Sequence, residues 1–485
     1  MRVLFVNPPA FNELTTVVGK EITENSSFQP PLGLLYIASY LRKNSDHEVR
    51  VIDSQVDRLL YSQLEAEICQ WKPDMVGLTA MTFTMVDVML TAQLVKNVDP
   101  EIVVCLGGPH VDLYPEETIR LKAVDFAIMK GGEEPFSLLV GELSGKRHFD
   151  RVPGLVYREN GHEVHINPRT SPGPSLEDLP FPDRTMVPYQ KYYSIMTANR
   201  PVGTMITAKG CPYLCVFCSE RGARPFWRSG ASVAEEVEQC KKIGIQEMFF
   251  VDDTFYVKKK ESVAIAQALI DRHVGMPWGA RARVNNLDRE MLKKFKESGC
   301  RRLHIGVEAG SDKVLKTLKK AITVEQARQA FRLCREVGID TMAYFIVGSP
   351  GETLEDVNAT LALACELEPT MAQFSRMTPM PGTDLYEMGL RSGILPRDYW
   401  REFAQDPLGS AGKGFRPMVW TENFTEEELF ALADHHTRGF YFRPKYIMRS
   451  VMQIRSFHSV VSKAKAARDL FKGTSPSKTK LQKLI

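Results

Sequence analysis

The sequence predicts an α/β protein with two successive units of alternating strands and helices, followed by a helical C-terminal extension. Short apolar runs alternate with amphipathic helical stretches over residues 1–145 and again over 196–385. Residues 146–195 are rich in proline and lack helical periodicity, which indicates a linker with one hairpin around Leu155 to Ile166. The chain of 485 residues is long enough for this division, and residues 386–485 form the extension.

The first unit, residues 1–145, predicts a Rossmann-like, doubly wound parallel sheet. Its predicted elements are the strands Arg2–Asn7, Glu48–Asp53, Asp74–Thr79, Ile102–Leu106 and Ala123–Met129, and the helices Pro31–Arg42, Tyr61–Trp71 and Met85–Val95. Ligands of such sheets bind beyond the carboxyl ends of the strands, although the same residues also suit ordinary turns. The candidate ligand-binding residues there are Asn7, Pro8, Asp53, Thr79, Gly107, Gly108, His110, Gly131, Gly132 and Glu133.

Three cysteines, Cys211, Cys215 and Cys218, lie within eight residues in the spacing C-x3-C-x2-C. Iron–sulfur clusters usually take four cysteine ligands, so three local ones predict a cluster with one iron left open. The alternatives are a chance grouping or half of a zinc site, but structural zinc needs four ligands and no second Cys/His pair follows. The other six cysteines are scattered, mostly among apolar neighbours, which predicts buried thiols and a reducing, cytoplasmic location.

This cysteine spacing, with the aromatic Phe217 before the last cysteine, resembles the signature of the radical S-adenosylmethionine (SAM) superfamily. The resemblance implies that the three cysteines bind a [4Fe–4S] cluster whose fourth iron is chelated by SAM. It implies reductive cleavage of SAM to methionine and a 5′-deoxyadenosyl radical, with an external electron donor such as flavodoxin or ferredoxin. The catalytic residues that act on the substrate are not indicated.

The second unit is similar to the partial (β/α)6 barrel of radical SAM enzymes. Its six predicted strands are 204–209, 247–253, 277–283, 301–308, 340–348 and 371–378. The resemblance assigns cofactor-binding roles to residues at the strand ends. These are Asp252 or Asp253 for the SAM amino group or a substrate, Arg281 or Arg283 for the SAM carboxylate, Glu308 in GVEAG for the ribose and Gly348 in GSPGET for the adenine.

The first unit resembles the N-terminal cobalamin (vitamin B12)-binding domain of one branch of that superfamily. The strand–helix alternation, the helix PPLGLLYIASYL and the loops GGPH and GGEE carry the resemblance. The unit lacks the D-x-H-x-x-G motif whose histidine ligates cobalt in many cobalamin proteins, so cobalamin is expected without a histidine ligand. A literal match at residues 434–439 ends a predicted helix near the C-terminus, and we interpret it as a coincidence.

Together the two resemblances imply a cobalamin-dependent enzyme that functionalises an unactivated carbon, most simply by methyl transfer to a carbon or phosphorus centre. Radical cyclisation or oxidative rearrangement, as in the anaerobic tetrapyrrole cyclase, is the enzymatic alternative. A non-catalytic cobalamin- or cluster-binding sensor is the alternative of another class. A methylthiotransferase is disfavoured because only Cys69 and Cys105 lie in the first unit, where three more cysteines are expected.

The C-terminus is strongly basic, with twelve Lys/Arg and one acidic residue from Arg438 onward in a chain of net charge +3. Apolar residues recur there at helical spacing at positions Ile447, Val451, Ile454, Phe457 and Val461. Such a helix packs on the barrel, contacts an anionic membrane or binds a partner. The expected substrate is a small molecule, or a lipid if the helix contacts a membrane. No signal peptide, membrane-spanning run or recognisable nucleic-acid-binding motif is present in the sequence.

Overall fold

A computed structural model describes residues 1–14, 27–169, 173–194, 197 and 199–452. The first unit is a seven-stranded sheet of order β2-β1-β3-β4-β5-β6-β7. Its strands are β1 (Arg2–Asn7), β2 (Glu48–Asp53), β3 (Met75–Thr79), β4 (Val103–Gly107), β5 (Phe126–Ile128), β6 (Leu155–Glu159) and β7 (Glu163–Ile166). Strands β1 to β5 are parallel, which confirms the predicted doubly wound sheet.

Strand β1 shows why the sheet could be predicted from the sequence. Its run Val3–Val6 is fully buried, with Leu4 and Val6 in the apolar cluster on one face and Val3 and Phe5 in the cluster on the other. A strand covered on both faces needs a continuous apolar run. The helices of this unit are α1 (Leu32–Asn44), α2 (Tyr61–Trp71), α3 (Met85–Val98), α4 (Pro109–Leu113), α5 (Pro115–Ile119) and α6 (Glu133–Ser144).

The second unit is a six-stranded parallel sheet of order β8-β9-β10-β11-β12-β13, which confirms the predicted partial barrel. Its strands are β8 (Val202–Met205), β9 (Glu247–Phe250), β10 (Trp278–Ala282), β11 (Cys300–Glu308), β12 (Asp340–Val347) and β13 (Met371–Arg376). Its helices are α7 (Gly230–Lys242), α8 (Lys259–Asp271), α9 (Arg289–Glu297), α10 (Asp312–Thr317), α11 (Val324–Val337) and α12 (Leu354–Leu367).

The predicted hairpin around Leu155 to Ile166 is present as β6 and β7, which extend the first sheet with antiparallel pairing. The predicted strand 204–209 is divided in two. Strand β8 ends at Met205, and Ala208–Lys209 pairs instead with Phe226–Trp227 in a short antiparallel ladder. This ladder joins the two ends of the loop that contains the three cysteines.

The C-terminal extension packs on both units. Its helices are α13 (Asp384–Ser392), α14 (Tyr399–Gln405), α15 (Pro407–Gly412), α16 (Glu426–Tyr441) and α17 (Pro444–Met452). Helix α14 inserts Tyr399, Trp400 and Phe403 into the core of the first unit, and the Trp400 ring contacts Phe83 edge-on at 5.8 Å. Helix α16 packs along the edge strand β13.

Helix α17 caps the barrel at the end where its strands begin. Arg449 donates hydrogen bonds to the carbonyl oxygens of Glu368 (3.0 Å) and Pro369 (2.5 Å), just after helix α12 ends. Cations at a helix C-terminus are favourable, so this part of the basic segment packs on the barrel. The side chain of Val451, and all of Ile454, Phe457 and Val461, lie outside the described residues. None of the described helices is long and apolar enough to span a membrane.

Candidate cluster and cofactor site

The three cysteines lie in the loop that follows β8. Cys211 and Cys215 are buried, Cys218 is half-buried, and none is in a disulfide. Burial raises the pKa of the Cys218 thiol, and the neighbouring Cys215 and Cys211 thiols add to the increase. Three neighbouring thiols fit a [4Fe–4S] cluster held by three cysteines. Phe217 packs partly buried against the barrel core, and its ring centroid lies 5.8 Å from the Lys320 ammonium.

Asp252 anchors the base of this loop. Its Oδ1 accepts hydrogen bonds from the backbone N–H groups of Thr207 (2.6 Å) and Ala208 (3.0 Å), and its Oδ2 accepts from the Thr207 hydroxyl. Burial raises the pKa of this carboxyl to about 6. Asp253 is exposed and accepts one backbone hydrogen bond, from Gly210 at 3.3 Å. Of the two carboxylates left open by the sequence, Asp253 therefore has more acceptor capacity left for a ligand.

Two arginines occupy different environments at the end of β10. Arg281 is exposed and donates one hydrogen bond to the Val251 carbonyl at 3.3 Å. Arg283 is buried, and its Nη1 lies 3.5 Å from the Cys215 sulfur. Arg281 is therefore the arginine with donors available for a carboxylate ligand.

Glu308 ends β11 and forms a buried ion pair with Lys320. The strand register shifts between Gly306 and Glu308, and Glu308 has a φ of +71°, a left-handed conformation that is uncommon for a non-glycine residue. Such conformations persist where the surroundings enforce them, often at ligand sites. A Cβ at Gly306 would overlap the Glu308 carboxylate and the Lys320 ammonium, so glycine makes room for this pair.

Gly348 begins the turn after β12, with a φ of +85°. Its N–H and that of Ser349 donate to the same Glu352 oxygen, at 2.6 and 2.8 Å. Burial raises the pKa of Glu352 to about 7. A Cβ at Gly348 would lie 2.5 Å from a Leu429 methyl group, so helix α16 closes over this turn.

Asn7 and Asp53, at the ends of strands β1 and β2, stabilise the fold. Asp53 is buried and accepts hydrogen bonds from Asn7 (2.8 Å), Tyr192 (2.7 Å) and the Gln55 backbone (3.1 Å). Pro8 is buried beside them. The bond from Tyr192 joins the linker to this edge of the sheet.

The GGPH loop after β4 turns inward. His110 is fully buried, and its Nδ1 is hydrogen-bonded to the Thr82 hydroxyl at 3.1 Å. Burial lowers its pKa to about 3. Gly107 accepts from Ala80, and a Cβ at Gly108 (φ +111°) would lie 2.9 Å from the Ala80 oxygen.

These contacts make His110 a core residue. Thr79, at the end of β3, is half-buried. The D-x-H-x-x-G match at residues 434–439 lies within helix α16, in agreement with its interpretation as a coincidence. Both ring nitrogens of His436 are hydrogen-bonded to backbone carbonyls inside the fold, at 2.8 Å each.

The GGEE loop after β5 faces the cysteine loop. Glu133 forms a 3.8 Å ion pair with Lys209, two residues before Cys211. Gly131 adopts a φ of +86°, and Gly132 packs closely on Ile37. The carboxyl ends of the two sheets therefore open toward one another.

The facing edges carry exposed apolar side chains. Phe11 and Met81, after β1 and β3, are 47% and 44% exposed, and Leu214 in the cysteine loop is 57% exposed. Apolar surface next to glycine-rich turns suits a large, flat ligand. No histidine among the described residues of the GGPH or GGEE loops is free to reach such a ligand from the sheet, because His110 is buried. These features fit cobalamin bound without a histidine ligand.

Sequence reasoning did not find Lys320, Thr207 or Tyr192. Each acts through a long-range contact: Lys320 with Glu308, Thr207 with Asp252, and Tyr192 with Asp53. No local pattern marks these residues, although the positive φ values of Lys319 and Ala321 mark the Lys320 turn once the structure is known.

Two family models match the chain. The radical SAM superfamily matches residues 205–364 and the B12-binding domain matches residues 23–140. An uncharacterised methyltransferase of Pyrococcus horikoshii is 33% identical over 94% of this chain and 96% of its own length. The anaerobic magnesium-protoporphyrin IX monomethyl ester cyclase of Rubrivivax gelatinosus is 31% identical over 80% of this chain and 70% of its own length.

A solved structure shares the whole architecture. The cobalamin-dependent SAM radical enzyme OxsB, with aqua-cobalamin and SAM bound, superimposes with a TM-score of 0.70 at 18% identity, covering 97% of this chain and 72% of that one. The chain belongs to the radical SAM superfamily, in the branch with a B12-binding domain. It is a radical SAM enzyme whose cofactors are a [4Fe–4S] cluster, SAM and cobalamin, as its sequence predicted.

Proposed function

We propose that this enzyme transfers a methyl group from SAM, by way of cobalamin, to an unactivated carbon or phosphorus centre of a small molecule. The observation that carries the proposal is the facing of the two strand edges, with Glu133 of the first sheet paired to Lys209 beside the cysteines. A substrate entering between these edges would meet both cofactor sites. The similarity to the Pyrococcus methyltransferase over nearly the full length supports methyl transfer.

We assign cobalamin to residues 1–145 and the cluster with SAM to residues 196–385, joined by residues 146–195 and covered by residues 386–485. When bound, the cluster supplies the electron for SAM cleavage and cobalamin carries the methyl group. Cys211, Cys215 and Cys218 would ligate the cluster, while Asp253 and Arg281 would hold the two ends of the SAM methionine. Glu308 would accept from the ribose hydroxyls. The burial of Cys211 and Cys215 would help to keep water away from the cluster.

The test is a product analysis under strict anaerobiosis. Enzyme reconstituted with iron, sulfide and cobalamin is given SAM, a reductant and a metabolite extract. Methyl transfer predicts S-adenosylhomocysteine together with a product heavier by one methylene. Turnover that yields only 5′-deoxyadenosine and methionine would refute methyl transfer and favour a non-methylating radical reaction.

Radical cyclisation is the second candidate, supported by the 31% identity to the magnesium-protoporphyrin cyclase over 80% of this chain. It predicts 5′-deoxyadenosine and a product that has lost hydrogen, without S-adenosylhomocysteine. The same product analysis therefore separates the two reactions.

We further propose an acidic electron-transfer protein, such as flavodoxin or ferredoxin, as the electron donor. At the base of the cysteine loop, the side chain of Phe226 is 58% exposed, and the Arg224 guanidinium lies 5.7 Å from the centre of its ring. Lys258 lies 5.3 Å from the adjacent Trp227 ring and begins the run Lys258–Lys260. An apolar centre with a basic rim complements an acidic partner.

Charge reversal of Lys258 and Lys260 tests this surface. Reduction by flavodoxin is expected to slow at least tenfold, because long-range attraction sets the association rate. Reduction by dithionite should be unchanged, and the matched variant Lys122→Glu on the first unit should leave both rates unchanged. Equal loss with both reductants would contradict the docking surface.

We place the protein in the cytoplasm and propose that only the basic segment after Met452 contacts membranes. Because helix α17 packs where the barrel strands begin, opposite the cysteine loop, a membrane there would not face the cofactor site. Sedimentation with anionic vesicles, compared for the full chain and a chain ending at Met452, tests this contact. Equal sedimentation of the two chains would contradict it.

A further inference from the structure

Arg283 is a buried cation without a carboxylate partner. Its side chain is at the end of β10 and the residue is 5% exposed. Across the described parts of the chain, no Asp or Glu forms an ion pair with it; its guanidinium donates instead to Asn285 Oδ1 at 3.2 Å and to the Lys320 carbonyl oxygen. A buried charge with only neutral partners is expensive, so a negative centre nearby is expected.

The negative centre that the site can provide is the cysteine loop. Arg283 Nη1 lies 3.5 Å from the Cys215 sulfur, within hydrogen-bond distance for sulfur. The other cation nearby, Lys320, is already neutralised by Glu308. Arg283 is therefore the charge left to balance cysteines that become thiolates when they ligate iron.

The guanidinium is held firmly in this position. Its Cζ lies 3.7 Å from the centre of the Tyr213 ring, between Cys211 and Cys215 in sequence. Asn285 accepts from Arg283 and also donates to the Tyr213 hydroxyl at 3.2 Å. The planar guanidinium can stack on the ring and donate sideways at the same time, which a lysine cannot do.

We propose that Arg283 donates a hydrogen bond to the Cys215 thiolate of the cluster and raises the reduction potential of the cluster. Reduction adds one electron from the external donor and breaks no bond. A fixed cation and an N–H···S contact stabilise the reduced, more negative form over the oxidised form. Arg283 thus acts as a positioning residue, and Arg281 is the arginine left for the SAM carboxylate. The inference requires the cluster but does not depend on methyl transfer.

The experiment is an anaerobic redox titration of the reconstituted full chain, without SAM, followed by electron paramagnetic resonance of the reduced cluster. Arg283→Met is expected to make reduction at least tenfold less favourable, a shift of about 59 mV or more to lower potential. Arg283→Lys should shift the potential in the same direction but by less, because lysine keeps the positive charge and loses the planar guanidinium donors. Arg281→Met, the matched control, should leave the potential unchanged.

Iron and sulfide content, measured first, keep the comparison interpretable. If Arg283→Met does not hold a cluster, Asn285→Ala serves instead, because it releases the guanidinium from one side without removing its charge. An unchanged potential in Arg283→Met, or in Asn285→Ala if that variant is needed, would overturn the proposal. An equal shift of the reduction potential in Arg281→Met would also overturn it, because any nearby positive charge would then have the same effect as Arg283. A failure of methyl transfer would leave these potentials as predicted, so the two proposals fail separately.

Discussion

Substitution of Asp252 tests how the fold holds the cysteine loop. In Asp252→Ala the backbone N–H groups of Thr207 and Ala208, both bonded to Oδ1, lose their acceptor inside the protein. An unpaired buried donor costs about 1–3 kcal/mol. Two of them predict a loss of about 2–6 kcal/mol in the free energy of unfolding, concentrated just before Cys211.

Asp252→Asn is the matched control, because its amide oxygen can keep both backbone hydrogen bonds and its NH2 group can donate to the Thr207 hydroxyl. It also removes a pH effect. Burial raises the pKa of Asp252 from 3.8 to about 6, so between those pH values the folded protein keeps a proton that the unfolded chain has lost. Stability due to this group therefore falls as pH rises through that window, by about 3 kcal/mol in total, and this fall should be absent in Asp252→Asn.

The assay is urea unfolding of the metal-free proteins at pH 4 to 7, with iron content measured after anaerobic reconstitution. Asp252→Ala should unfold at lower urea and bind little iron. Asp252→Asn should bind iron fully and lose less stability than the wild type as pH rises from 4 to 6. If Asp252→Ala matches the wild type in both measurements, or if Asp252→Asn loses iron as completely as Asp252→Ala, Asp252 does not anchor the cysteine loop.

Three further outcomes are expected. Cys215→Ser should abolish the iron–sulfur absorption, whereas Cys240→Ser, in the apolar barrel core, should keep it; equal iron in both would contradict the cluster assignment. Gly306→Ala should weaken SAM binding at least tenfold in equilibrium dialysis, because the added methyl group displaces the Glu308–Lys320 ion pair. An unchanged affinity would show that this ion pair is not part of the SAM site. His110→Gln should bind cobalamin with an unchanged absorption spectrum, and a spectral change would indicate a histidine ligand. Because burial lowers the pKa of His110 to about 3, His110 should cost stability as pH falls below 6.5, and the variant should lack this loss.

The sequence was most informative where a local pattern has one physical meaning. The short apolar run Val3–Val6 favours a strand buried on both faces, and the spacing of Cys211, Cys215 and Cys218 places three thiols in one short loop. Both features need only neighbouring residues, which explains why the two sheets were predicted correctly and why the three cysteines stay the predicted cluster ligands.

Contacts between distant residues were not predictable in this way. Arg283 lies 68 positions from Cys215 in sequence, and both Arg281 and Arg283 fitted the same expected role. Equally, nothing in the sequence of helix α14 indicates that Trp400 belongs to the core of the first unit. His110 was expected in a ligand-facing loop, but the tight packing of Gly108 on Ala80 turns it into the core.

The most direct test of the account is metal and cofactor analysis of one preparation. The full chain, purified anaerobically and reconstituted with iron, sulfide and cobalamin, should contain one [4Fe–4S] cluster and one cobalamin per chain and should cleave SAM under a strong reductant. A preparation that holds the cluster but takes up no cobalamin would contradict the assignment of the first sheet, and with it the proposed methyl transfer.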